Sequence, residues 1–199
     1  MRRITLAGAV LGLAFATSSG AALAAPHWWV KGSSGPYKEL PVKTKETLTS
    51  AGTMKWTSPS GKGTCKGLTD KETIENPNGG GAGTDTMTAF EVSCPKAAFY
   101  PCNKAETASL KLKGSAWPSM LTETSGELED EFTTVRIEAT CSASGAKETY
   151  AGAMNALVKP NLLDFKAGVL NAFNEGDFLT ITLNDKVTAA KYTKVTAKA

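Results

Sequence analysis

Phe178-Leu179-Thr180-Ile181-Thr182-Leu183 alternates large apolar side chains with hydroxyls. Successive side chains of a strand point to opposite faces, so Leu179, Ile181 and Leu183 share one face while Phe178, Thr180 and Thr182 share the other. A helix would need its apolar residues three and four apart, so the stretch reads as a strand with one face in a core and one toward water. Asn184-Asp185 then reads as a turn into a further strand over 186–196. Working back toward the N-terminus, the same kind of short β-prone run recurs between Gly, Pro, Asn and Ser. Strands are predicted over 27–31, 37–42, 47–50, 53–57, 64–68, 84–93, 108–113, 132–141, 148–158 and 162–165. Gly32-Ser33-Ser34-Gly35-Pro36, Ser58-Pro59-Ser60-Gly61 and Pro160-Asn161 supply turns. The expected fold is all-β, an antiparallel sandwich or a partly open barrel, with two disulfides and little helix after the leader.

The leader is the first 24 residues. Arg2 and Arg3 precede an apolar run over 4–15, and Ala22-Leu23-Ala24 fits a small-residue cleavage site, so 1–24 reads as a secretory signal peptide. The apolar run is shorter than the roughly 20 residues needed to cross a bilayer, and no later segment approaches that length, so no membrane span is expected in the mature form. The remaining chain, 25–199, fits one secreted β domain. The turn-rich run 75–84 is the only candidate boundary, and a long loop inside one domain is the preferred reading. The expected location is secreted or extracellular, with loose association to the cell envelope as a further expectation.

Four cysteines in an exported chain point to two disulfides among Cys65, Cys94, Cys102 and Cys141, with three pairings open. The preferred pairing is Cys94 with Cys102 and Cys65 with Cys141. No C-x-x-C spacing is present and His27 is the sole histidine, which argues against a zinc site. Without Arg2 and Arg3 the formal charge falls from +3 to +1. Lysines and carboxylates are mixed along the chain rather than gathered into a basic stripe, so nucleic acid is not an expected partner.

One histidine and four disulfide cysteines leave little for nucleophilic catalysis, and there is no G-x-S-x-G elbow. Two carboxylates suffice for a glycoside hydrolase, and Glu127, Glu129 and Glu131 would project from one face of a strand, where crowding raises a pKa. Ser125-Gly126 before them and Asp130 among them favour a solvated turn instead. Oxygen-rich loops at Glu75, Asn76, Asn78 and Asp85, and at Asn174, Glu175 and Asp177, raise a structural calcium but match no calcium-loop motif. The glycine run lacks the Gly-Lys-Ser/Thr ending of a phosphate loop, and no cofactor or catalytic set is assigned.

Binding is better served by the aromatics Trp28, Trp29, Tyr37, Trp56 and Trp117, which are suited to stack on a glycan or meet another envelope protein. Alternation places one of Trp28 and Trp29 inward. His27-Trp28-Trp29, Thr64-Cys65, Glu75-Asn76-Pro77, the Gly79 to Asp85 run, the Cys94 to Cys102 loop, Ala116-Trp117-Pro118 and Thr140-Cys141-Ser142 together resemble a family of uncharacterised secreted bacterial all-β proteins. That resemblance covers most of the chain after the leader and implies no activity. The expected function is non-enzymatic binding or a role at the cell envelope, with a carboxylate-based polysaccharide hydrolase as the alternative.

Overall fold

The computed structural model describes residues 24–102, 106–173 and 177–199. The expected leader, up to residue 23, and Asn174 and Glu175 of the second oxygen-rich loop lie outside the described residues. The strands are β1 (His27–Lys31), β2 (Lys38–Glu39), β3 (Lys45–Ser58), β4 (Gly61–Glu75), β5 (Thr84–Cys94) and β6 (Ala108–Leu112), followed by β7 (Trp117–Thr124), β8 (Glu127–Cys141), β9 (Lys147–Lys159), β10 (Leu162–Ala172), β11 (Phe178–Ala189) and β12 (Lys194–Lys198). The described residues contain no helix, and none therefore long and apolar enough to cross a membrane.

Neighbouring strands run antiparallel from β3 through β4 to β5 and from β8 through β9 and β10 to β11. β6 and β7 share the place between β5 and β8, β6 on the Cys94 side and β7 on the Thr84 side. The ring closes where β11 pairs with β3, from Thr180 with Thr57 to Ala189 with Leu48. The all-β expectation therefore holds as a closed eight-stranded barrel with extra strands. Closure removes the exposed edges that an open sheet would present.

Several strands run longer than the sequence pattern suggested. β3 joins 47–50 to 53–57 in one strand, and the bulge beside it is carried by β4, where Lys66 and Gly67, the latter at positive φ, oppose Thr53. Asn184 and Asp185 sit inside β11 rather than in a turn, and β8 begins at Glu127 rather than at 132. The run 75–84 is the loop between two strands that pair, β4 and β5, with Glu75 opposite Thr84.

Each end of the barrel is covered. At one end β12, β1 and β2 form a three-stranded sheet whose inner side chains, Trp28, Val30, Val195 and Ala197, are buried. Asn76 fixes it: its carbonyl accepts the Trp28 amide at 2.8 Å, and its amide donates to the carbonyls of Trp28 at 3.0 Å and Leu40 at 2.8 Å. At the other end the loop from β5 to β6 inserts Phe99, whose ring meets Trp56 edge-on at 5.0 Å and Tyr150 at 6.3 Å.

The disulfides differ from the preferred pairing: Cys65 bonds Cys94 and Cys102 bonds Cys141. Lys66 pairs with Ser93, so Cys65 and Cys94 face each other on adjacent strands, 4.0 Å apart at Cα. Cys141 lies across β6 from Cys94, with Ala108 opposite both, and takes Cys102 from the plug loop instead.

Candidate functional site

β1 exposes His27, Trp29 and Lys31 in part and buries Trp28 and Val30. Pairing brings Lys198 opposite His27, Thr196 and Glu39 on either side of Trp29, and Lys194 opposite Lys31. The outer face of the end sheet thus has Trp29 at its centre with cations at its corners. The Lys198 ammonium stands 4.4 Å from the Trp29 ring centre and 5.7 Å from that of Tyr37, and the Lys31 ammonium stands 6.0 Å from Tyr37. Such contacts hold the two rings in place from the solvent side. Both nitrogens of His27 face acceptors, the Glu39 carboxylate and the Gly81 carbonyl at 2.9 Å. Beside this face lies a hollow of about 420 Å³ lined by His27, Trp29, Glu39, Gly80 and Lys198 among others.

Only two of the five aromatics singled out in the sequence therefore reach the surface, Trp29 and Tyr37. Trp28, Trp56 and Trp117 are core residues. The Trp28 indole donates to the Thr84 carbonyl at 2.9 Å, Trp56 lies against Gly63, and Trp117 packs on Phe90 at 5.4 Å between centroids.

A second set of chemical groups lies inside the barrel. Asp70 and Glu72 from β4, Asp85 from β5, Asp130 from β8 and Asp185 from β11 all occupy inward positions and are at most 6% exposed. No lysine, arginine or histidine is buried with them among the described residues. Asp85 and Asp130 lie within hydrogen-bonding reach of each other, as do Asp70 and Asp185. Two ionised carboxylates have no donor between them, so each such bond requires a proton. Burial pushes Asp130 up to about 7, and burial together with the charge of Asp70 pushes Asp185 up to about 9. Burial also raises Asp70, and it raises Glu72 and Asp85 well above the carboxylate range, with the charge of Asp85 adding to Glu72 and that of Asp130 to Asp85. No group of three or more His, Cys, Asp or Glu among the described residues has metal-holding geometry.

No family model, curated protein or solved structure matches this chain.

The acidic run read as a solvated turn is the first rung of the β7–β8 hairpin, where Ser125 and Gly126 make the two-residue turn at positive φ. Its odd and even members part company. Glu129 faces outward, bonded to Lys166 and to Asn155 at 3.1 Å, and the Lys166 ammonium holds its carboxyl below the usual range. Glu127 also meets Lys166, at 3.4 Å. Asp130, which the sequence showed only as an interruption, is the residue that enters the barrel. Of the calcium-loop candidates, Asn76 is committed to the end sheet and Asp85 to the interior. The signal that would have found the carboxyl cluster is the inward parity of Asp70, Glu72 and Asp185 within strands.

Proposed function

We propose that the protein is a secreted, non-enzymatic binding protein, made with a cleavable leader and belonging to the uncharacterised bacterial β proteins it resembles, whose end-sheet face takes a glycan of the cell envelope. The observation that carries this reading is Trp29 with Tyr37, two part-exposed rings held side by side by Lys198. A flat aromatic on a sheet face offers stacking area at low conformational cost, and a sugar ring is the ligand that stacks without a deep pocket. Lys31, Lys194 and Lys198 stand on the face, against Glu39 as the carboxylate of the same sheet. This balance favours an anionic glycan carrying uronate or phosphate groups. Two buried disulfides are consistent with an oxidising compartment.

No observation favours the hydrolase. Lys166 keeps Glu129 ionised, which is the wrong state for a general acid, and the interior carboxyls are sealed at both barrel ends. The test is a screen of the oxidised protein on arrayed uronate- and phosphate-bearing glycans, with reducing ends followed in the same samples. Binding weakened about tenfold or more by Trp29→Ala, and weakened by salt, supports the proposal. Binding indifferent to Trp29→Ala, release of reducing ends, or capture of an envelope protein with no glycan bound would each sink it.

A further inference from the structure

The five interior carboxyls are not used by the binding face, yet they are the most costly groups in the fold. An ionised carboxylate in a dry core without a counterion costs far more than a fold can sustain, so such groups take up a proton instead. The surroundings supply no alternative. From β3 come Ser50 and Glu46, the latter accepting the Lys191 amide at 2.6 Å. From β7 comes Ser119, in contact with Asp130 and donating to the Asp85 carbonyl at 3.3 Å. β9 contributes Tyr150 and Glu148 near the plugged end, with Glu148 accepting backbone amides of Thr149 and Phe173. β10 turns Leu163, Phe165 and Leu170 inward. Of the outside charges, Glu131 acts on Asp130 and is itself negative, and Lys111 and Glu91 border the hollow at Asp70 as a salt-bridged pair.

The wall also has a gap in its strand pairing. β5 pairs with β6 at Glu91–Cys94 and with β7 at Thr84–Met87, so Thr88, Ala89 and Phe90 lack a strand partner on that edge. A hollow of about 320 Å³ lies at this seam, lined by Asp70, Thr88, Phe90, Glu91, Lys111 and Leu112 among others. Asp70 is thus the member of the cluster that borders this seam, its two carboxyl oxygens still buried behind it, and Asp185 lies beside it.

We propose that the barrel is locked by protons: in the folded chain Asp85 with Asp130 and Asp70 with Asp185 each hold a shared proton, Glu72 holds another, and all exchange with solvent through the seam beside Asp70. The sign follows from linkage. Carboxyls of the unfolded chain release their protons near pH 4, whereas the folded core keeps them to higher pH. The folded state therefore binds more protons across the range between, and stability is full below about pH 4 and is lost as pH rises through the folded values, about 7 for Asp130 and about 9 for Asp185. Each retained proton raises the unfolding constant about tenfold per pH unit. A protein built this way is tight in acid and loosens in alkali, the reverse of a fold held by ion pairs.

The experiment is guanidinium unfolding of the oxidised full chain at pH 5, 7 and 9, with proton uptake on refolding at pH 6 followed by an indicator dye in weak buffer. The expected result is an unfolding constant rising about a hundredfold or more from pH 5 to pH 7, and uptake of about two protons or more per chain. Asp185→Asn, whose amide is neutral at every pH, should remove about one proton of uptake at pH 6 and flatten the slope. Asp130→Asn serves the same end if Asp185→Asn does not fold, and the uptake of the unaltered chain decides if neither does. Stability flat or rising from pH 5 to pH 9, refolding without uptake, or stabilisation at pH 8 by calcium that replaces the uptake would overturn the proposal.

Discussion

Gly52 is the residue on which the closure of the barrel turns. It lies on β3 opposite Asp185, and a Cβ built there would stand 2.1 Å from the Asn184 carbonyl oxygen and 2.6 Å from the Asp185 carboxyl. Backbone oxygen cannot move aside as a flexible side chain would, so Gly52→Ala must push β3 away from β11. The expected cost is about 2 kcal/mol or more, read as a drop in the guanidinium midpoint at pH 5, where the interior acids are neutral. Gly32→Ala, where an added Cβ meets nothing within 4 Å, is the control and should change little. Equal midpoints for the two variants would show that β3 and β11 move apart freely at this point. At this scale the sequence is legible only in part. The inward turn of Trp28 and the outward turn of Trp29 follow from alternation alone. Asp185 does not, because Asn-Asp is the commonest kind of turn signal and nothing local says that the aspartate fills an inward place.

The elements that the pattern missed share one cause. In β4 the inward places run Leu68, Asp70, Glu72 and Ile74; at the head of β8 Asp130 precedes Phe132; in β11 Asp185 stands between Leu183 and Val187. A strand whose inward side chains are acids shows no apolar alternation, so 69–74 draws no strand assignment and 127–131 and 184–185 read as turns. β7 was hidden differently, its start at Trp117-Pro118 looking like a break, although Pro118 is exposed and Trp117 and Ser119 are buried on either side of it. The disulfides were legible in number and misread in pairing, since proximity in sequence says nothing about which strands become neighbours. Their pairing assigns them different duties. Cys65–Cys94 ties neighbouring strands already bonded by their backbones, whereas Cys102–Cys141 holds the plug loop. Closing loops with separations of 29 and 39 residues, each bridge is expected to contribute about 3–4 kcal/mol in the chain-entropy account. The double variant Cys102→Ala/Cys141→Ala should in addition open the loop between β5 and β6 to limited proteolysis, while Cys65→Ala/Cys94→Ala should leave it protected. Equal cutting in both would mean that Phe99 packing, not the disulfide, seats the plug.

Across the whole molecule, the order in which the wall assembles follows from how far apart its partners lie in sequence. β3 and β4 meet through the two residues Pro59 and Ser60, with Ser58 opposite Gly61. β3 and β11 meet only after most of the chain has intervened, Thr57 opposite Thr180 and Leu48 opposite Ala189. Loop-closure entropy opposes the second pairing until the intervening strands have shortened the path, so the β3–β11 contact should form after the folding transition state and the β3–β4 hairpin before it. Leu68→Ala on β4 and Leu183→Ala on β11 both remove fully or nearly buried side chains and should each cost about 2–5 kcal/mol. They should differ in kinetics. The first is expected mainly to slow folding and the second mainly to speed unfolding, as seen in the two arms of a stopped-flow chevron on the oxidised chain. Acid pH must be held constant between them, because the neighbouring Asp70 and Asp185 would otherwise add their own proton release to either arm. If Leu183→Ala instead slows folding, the barrel closes early at β3–β11 and the remaining strands fill a ring already joined. That order would also place Asp70 beside Asp185 before the seam at Thr88–Phe90 exists, so the interior acids would have to be protonated as the ring forms rather than through its finished wall.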